Sequence, residues 1–173
     1  FANDGSGSSG NLEFGFWNLE FLLHRMHDPR IDQLARQLVR YSTSVKKGER
    51  VLIDIADVPD AIGVALIREV RAKGALPLLR IGHSRLNREM LHGATDDQYQ
   101  LLAKHQMAEM RDVDAYIAIR GSHNIAEFSD VPAERMKLAM KRMRPVLNRR
   151  VNRTKWCVLR WPNPAMAQQA GMS

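Results

Sequence analysis

A chain of 173 residues, 45% apolar and 26% charged, is long enough to bury the core of one domain and too apolar to be disordered throughout. A single cysteine, Cys157, excludes an internal disulfide framework and fits a reducing compartment. No apolar run approaches the ~20 residues needed to cross a bilayer, so a cytoplasmic protein without a membrane partner is expected. The formal charge of +7 is unevenly placed. No Asp or Glu follows Glu134, while Arg135, Lys137, Lys141, Arg142 and Arg144 open a basic run that extends to Arg160. Such a run can track phosphates, or it can be a solvated helix face whose acidic partners lie elsewhere. No aromatic-rich, glycine-flanked or Cys/His nucleic-acid motif accompanies it, and nucleic acid is not an expected partner.

Residues 1–25 differ from the rest. The stretch NDGSGSSG is of linker type, and Asn-Leu-Glu-Phe then occurs twice, too few copies to define a repeat architecture. Glu13 and Glu20 interrupt the apolar stretch and Arg25 comes last, the wrong order for a secretory signal. The expectation is that Met26 is the natural start and that 1–25 is a leader, tag or translated upstream sequence.

From Met26 onward the punctuation is regular. Asp28 can cap, Pro29 suits the first helical position, and Ile31, Leu34, Ala35, Leu38 and Val39 recur at helical spacing through about Ser42. After the Lys47-Gly48-Glu49 turn, Arg50 to Ile55 is β-branched and nearly continuously apolar, as a buried strand requires. A helix follows at about 58–73, stopped by Gly74. Leu76 to Ile81 is the second strand, and its Pro77 suits an edge position because a missing N–H cannot serve a central ladder. Gly82 to Thr95 reads as a loop with a helical turn near Asn87–Leu91. Thr95 or Asp96 then caps a helix to about Met110, with Tyr99, Leu102, Ala103, Gln106 and Met110 on one face. The third strand is Ala115 to Ile119, ending at Gly121. Beyond the polar loop Ser122 to Val131, Pro132 opens a long helix that Pro145 is expected to kink or divide. Trp156 to Leu159 is the fourth strand. Asn163-Pro164 signals another helix, which Gly171 interrupts within about two turns, so the text stops while an element is being built.

Strands alternating with helices, with crossovers of this length, predict an α/β fold: a three-layer sandwich around a mostly parallel, Rossmann-like or flavodoxin-like sheet of about four strands, truncated at the C-terminus. Ligands of such sheets bind beyond the carboxyl ends of the strands. That rim carries Asp57 after the first strand, His83 and Ser84 after the second, Ser122, His123 and Asn124 after the third, and Asn163 after the fourth. Two histidines and an aspartate can hold a metal, and they are equally what polar loops contain. Cys157, between Trp156 and Val158, reads as a buried strand thiol rather than a nucleophile. His105 reads as a surface or boundary histidine, while His24, His27 and His92 fall in segments of weak order. The methionines Met136, Met140, Met143 and Met166 read as adaptable core filler rather than a copper box. His-Glu-x-x-His, Gly-x-Gly-x-x-Gly, the phosphate-cradling Gly-x-x-x-x-Gly-Lys-[Ser/Thr] and the Gly-x-Ser-x-Gly elbow are all missing, which disfavours dinucleotide and triphosphate ligands.

Three segments carry a resemblance: Arg40-Tyr41-Ser42 with Val45 to Ile53, Ser129 to Arg135, and above all Trp156-Cys157-Val158-Leu159-Arg160-Trp161-Pro162-Asn163-Pro164-Ala165-Met166-Ala167-Gln168. Together they resemble the N-terminal domain of the thermophilic metalloaminopeptidases of the aminopeptidase T and aminopeptidase S type, in register from Met26 to the end. The resemblance implies a cytoplasmic, homodimeric exopeptidase that removes N-terminal residues from peptide substrates with two divalent metal ions, zinc, cobalt or magnesium. In that family the ligands are glutamates, histidines and an aspartate of a C-terminal domain. No position here matches them, so no catalytic, cofactor-binding or metal residue is assigned. The resemblance thus implies that 26–173 is the N-terminal α/β domain of a longer aminopeptidase, with the catalytic domain and its metals absent and the segment inactive by itself. Two alternatives stay open: a basic module binding nucleic acid through the 135–155 helix, and a small-ligand receptor using Asp57, His83 and His123.

Overall fold

A computed structural model describes residues 28–172. The stretch NDGSGSSG, the Asn-Leu-Glu-Phe pair and Met26, and with them the expectation of a leader over 1–25, lie outside the described residues. The chain divides into Phe1–Arg30 and Ile31–Ser173, and the sheet belongs to the second unit. The elements in order are α1 (Pro29–Arg36), which winds on as a π-helical segment Gln37–Ser42, then β1 (Arg50–Ala56), α2 (Asp60–Ala72), β2 (Leu76–Gly82), α3 (Ser84–His92), α4 (Asp96–Asp112), β3 (Ala115–Arg120), α5 (Ala133–Arg153), β4 (Lys155–Arg160) and α6 (Pro164–Gln169). Every strand pair is parallel and the order is β2-β1-β3-β4. These are the expected α/β fold and the expected alternation.

The two strands with the longest apolar runs take the centre. β1 and β3 are buried on both faces, and side-chain alternation divides their residues between two layers. On one face Val51, Ile53, Ile55, Ile117 and Ile119 pack under α1 and α2 through Leu38, Val39, Ile62, Leu66 and Val70. On the other Leu52, Tyr116 and Ala118 meet Met110 of α4 and Val146 of α5. A third cluster, including Leu91, Tyr99 and Ala139, holds α3 to α4 and α5. Cys157 is half-buried against the first cluster. Among the described residues no helix is long and apolar enough to cross a membrane.

β2 is an edge strand, and its register explains Pro77. The Leu76 N–H donates to the Glu49 carbonyl at 2.8 Å, so Leu76 and its alternates face β1. Pro77 therefore faces away from the sheet, where its missing N–H breaks no ladder bond.

Two elements differ from the sequence expectation. The segment Gly82 to Thr95 is mostly a helix of nine residues, α3, because a distant group holds its first turn: the Asp57 carboxylate accepts the Ser84 N–H at 3.0 Å. Pro145 does not divide α5, which runs unbroken for 21 residues. Pro145 and Lys141, whose carbonyl loses its partner, are both exposed, so water can satisfy that carbonyl, and burial of Ala139 and Val146 offsets one lost bond.

Asp54, in the middle of β1 and 5% exposed, places a charge inside the apolar sheet. Arg120, at the end of β3, reaches back to it with bonds of 2.8 and 2.7 Å, and the Tyr116 hydroxyl donates to the same carboxylate at 2.7 Å. Arg80 of β2 stands 3.4 Å away and also pairs with Glu109 of α4. Burial alone would raise the Asp54 pKa. The Arg120 guanidinium, the Tyr116 hydroxyl and the Arg80 charge outweigh it and hold the carboxyl below its ordinary 3.8. Burial and then the Asp54 charge push the Tyr116 phenol up to about 12.

Because folded Asp54 binds its proton less readily than the unfolded residue, its contribution is complete above the ordinary value of 3.8 and is lost as pH falls through it toward the lower folded value. Urea midpoints should therefore drop on acidification below about pH 4, and Asp54→Asn should flatten that drop. Arg120→Met, which strands the buried carboxylate, should cost about 3 kcal/mol, against about 1 kcal/mol for Tyr116→Phe, both read from urea unfolding at neutral pH.

Candidate functional site

The strand order turns around between β1, whose chain leaves toward β2, and β3, which lies on the other side. Loops after the two strands must part there and leave a crevice. The β1 loop makes its turn at Asp57, which takes a left-handed backbone with φ of 51°, a conformation aspartate tolerates better than most side chains. The β3 loop passes so close that a Cβ on Gly121 would lie 1.9 Å from the Asp57 carbonyl oxygen, and only glycine fits. A 2.7 Å bond from the Gly121 N–H to the Ala56 carbonyl fixes this approach.

Asp57, His83, Ser84, His123 and Asn124 line one open cleft of about 520 Å³. An adjoining cleft of about 420 Å³ shares Asp57, His83 and His123 and adds Asn163. The structure thus brings together the rim residues that the sequence singles out, with the exception of Ser122. That hydroxyl turns away to donate to the Asn124 carbonyl at 2.8 Å. α3, which the sequence reading treats as loop, adds Arg85, Arg88 and Glu89 to the wall. Its helix formers Arg85, Leu86, Arg88, Glu89, Met90 and Leu91, broken only by Asn87, are the local signal that could have found it.

The Asp57 side chain is 8% exposed, with Oδ1 3.5 Å from His83 Nδ1 and Oδ2 accepting the Ser84 N–H. Burial raises its pKa, but Ser84, His83 and the charge of His123 outweigh burial and hold it below the ordinary carboxylate value. Across the mouth, Arg88 pairs with Asp130, which His92 also approaches at 3.4 Å. These partners keep the Asp130 carboxyl well below its usual range.

As a metal site the rim fails on its donors. Both Asp57 oxygens already face protein groups, and among the described residues no three His, Cys, Asp or Glu stand together so as to hold an ion. The donor set does not fit a dinuclear centre. The basic run is partly consumed inside the fold, for Arg142 pairs with Asp96, Lys155 with Glu49, and Arg150 lies 4.0 Å over the Tyr116 ring.

Sheet and rim define a doubly wound α/β domain of flavodoxin-like strand order with a polar cleft at its switch point. Over residues 27–173 the sequence matches the family described as Thermophilic metalloprotease (M29), and the chain belongs to that family. Among solved structures, wild-type AmpT from Thermus thermophilus is similar in fold, with a TM-score of 0.62 at 20% identity. The match takes in 78% of this chain and 36% of AmpT, so the chain spans about a third of that protein's length. The CurK enoyl reductase aligns over 80% of this chain and 44% of its own at 14% identity, with a TM-score of 0.36, too loose a fit to bear on the fold. No curated protein matches the chain.

Gly121→Ala should force the β1 and β3 loops apart, at about 3 kcal/mol of stability. Thermal unfolding measures the loss, and the Ser84 amide resonance should move as Asp57 shifts away from it.

Proposed function

We propose that residues 26–173 are the N-terminal α/β domain of a metal-dependent aminopeptidase, an enzyme that hydrolyses N-terminal residues from peptides. The observation that carries this reading is membership of the thermophilic metalloprotease family over 27–173. The metal-coordinating side chains are supplied by sequence outside this segment, and residues 1–25 are a leader or linker that does not belong to the domain. When bound, a pair of divalent ions, zinc, cobalt or magnesium, would polarise the scissile carbonyl and lower the pKa of a bound water to about 7.

The part this domain plays is to shape access to a catalytic centre. The resemblance of the Trp156–Gln168 motif supports the same reading, and a homodimer in the cytoplasm goes with it. The basic face of α5 suits docking against carboxylate-bearing sequence of the same protein, since Lys137 and Arg144 have no ion pair among the described residues.

With divalent metal and an aminoacyl-anilide, the 173-residue chain is expected to show no turnover above the metal-only blank. A longer family chain carrying this domain should show turnover that a chelator abolishes and added metal restores. Chelator-sensitive turnover by residues 1–173 alone would move the metal ligands into this segment and overturn the assignment.

A further inference from the structure

The helical layer on one side of the sheet stops short of β4. Glu109 ties α4 to Arg80 of β2 and Arg150 sets α5 over the Tyr116 ring of β3, so the two helices cover the sheet from β2 to β3. The register places Trp156 beside Tyr116 and Val158 beside Ala118, on one face of the sheet. Tyr116 and Ala118 are sealed, whereas Trp156 is 46% exposed and Val158 is exposed as well. The flank of α5 turned toward this bare strand is also apolar. Arg142 marks the flank that faces α4, where it pairs with Asp96. Met140 and Leu147 each follow a buried residue, Ala139 and Val146, and so turn about 100° to the opposite flank. Both are exposed, Met140 at 68%. Helix flank and strand face form the two walls of a step along the sheet edge, and the flank carries an open groove of about 580 Å³.

Spacing and charge say what fits the step. Met140, Met143, Leu147 and Val151 recur at intervals of three and four, the seam against which a second helix packs lengthwise. Lys137, Lys141 and Arg144 line the same groove, and no carboxylate does. An occupant with acidic flanks therefore meets cations along its length. Nucleic acid would satisfy those cations and leave the methionine and leucine floor wet, and a flat bilayer cannot enter a step. A second copy docked about a two-fold axis would set the three cations against themselves. Topology adds a direction. The crossover from β3 to β4 passes through α5 on this side of the sheet, and the right-handed rule puts a helix leading onward from β4 to a further parallel strand on the same side. Among the described residues no side chain of α6 lines the groove.

We propose that the step between α5 and β4 seats an acidic amphipathic helix of the longer protein to which this domain belongs. Its apolar side rests on Met140, Leu147 and Trp156, and its carboxylates pair with Lys137, Lys141 and Arg144. The inference rests on the reading that 26–173 is one part of a longer chain, and it needs neither metal nor catalysis.

The probe is a blocked helical peptide of about 18 residues, long enough at about 1.5 Å per residue to span the seam, with leucine on one side and glutamate on both flanks. Titrated into the 173-residue chain, it should shift the Met140 and Met143 methyl resonances and the Trp156 indole saturably, with a Kd on the order of 100 μM that rises with salt. Leu147→Asp and Arg144→Glu, both at exposed positions that leave the fold intact, should each weaken binding about tenfold or more. In a longer family chain carrying this domain, hydrogen peroxide should oxidise Met140 about tenfold more slowly than in the 173-residue chain, because the seated helix covers its sulfur. The inference is overturned by the absence of saturable shifts, by equal binding of the same peptide with lysine in place of glutamate, or by unchanged affinity in the folded variants. It is equally overturned if phosphatidylserine vesicles or duplex DNA shift the same methyls at lower concentration, if the chain forms a dimer that Leu147→Asp dissolves, or if Met140 oxidises as fast in the longer chain. Metal-dependent turnover of the longer chain with Met140 uncovered removes this inference alone, whereas a covered Met140 without turnover removes only the peptidase reading.

Discussion

A charge buried between two central strands sets the terms for this domain. Asp54 cannot stay ionised in the sheet without a counter-charge, and Arg120 supplies it with two bonds under 3 Å. Replacing such a pair by apolar residues often changes stability little, whereas removing one partner is costly. The pair therefore acts more as a specification than as a source of stability. Any slip of β3 against β1 separates the guanidinium from its carboxylate, so one register survives. Arg150 lies over the Tyr116 ring, which links that register to the helical layer. Asp54 lies three residues before Asp57, and Arg120 is the residue before Gly121. The contact that fixes the register thus also delivers the two loop residues that meet at the rim.

The rim and the family point to different chemistry. Membership of the thermophilic metalloprotease family goes with metal chemistry, yet the one buried carboxylate at this rim, Asp57, is engaged by the Ser84 N–H and faced by His83. Asp57 serves α3 through the Ser84 N–H and stands 3.5 Å from His83 Nδ1. The sheet does what parallel sheets do at their carboxyl ends and presents loops around a cleft.

Much of the architecture was legible in the sequence because its signals are local. The apolar runs of β1 and β3, the outward Pro77, and the caps at Thr95 and Asn163, which accept N–H groups three residues on, all act within a few positions of themselves. The strand order then placed Asp57, His83 and His123 on one rim by rule. What escaped depends on partners far along the chain. α3 owes its first turn to Asp57, and its buried face is little more than Leu91, too narrow for periodicity to reveal. Asp54 and Arg120 are 66 positions apart, and nothing near either announces the other. Gly121 carries no turn signature, because its need for hydrogen comes from a carbonyl on another loop. Pro145 misled for the complementary reason: packing along α5 outweighs a local defect that water can repair.

The outward Pro77 has a consequence for how molecules of this protein meet. β2 leaves aliphatic side chains exposed on both faces, with Leu76 at 58% and Ile81 at 60%, and an uncovered margin of that kind ordinarily seeds fibrillar stacking. Only Leu79 and Ile81 present amide hydrogens along it. An incoming strand meets an acceptor without its matching donor where the imino acid stands, and the nascent intermolecular ribbon is interrupted there. Colloidal safety is thereby written into a residue that the native sheet does not use.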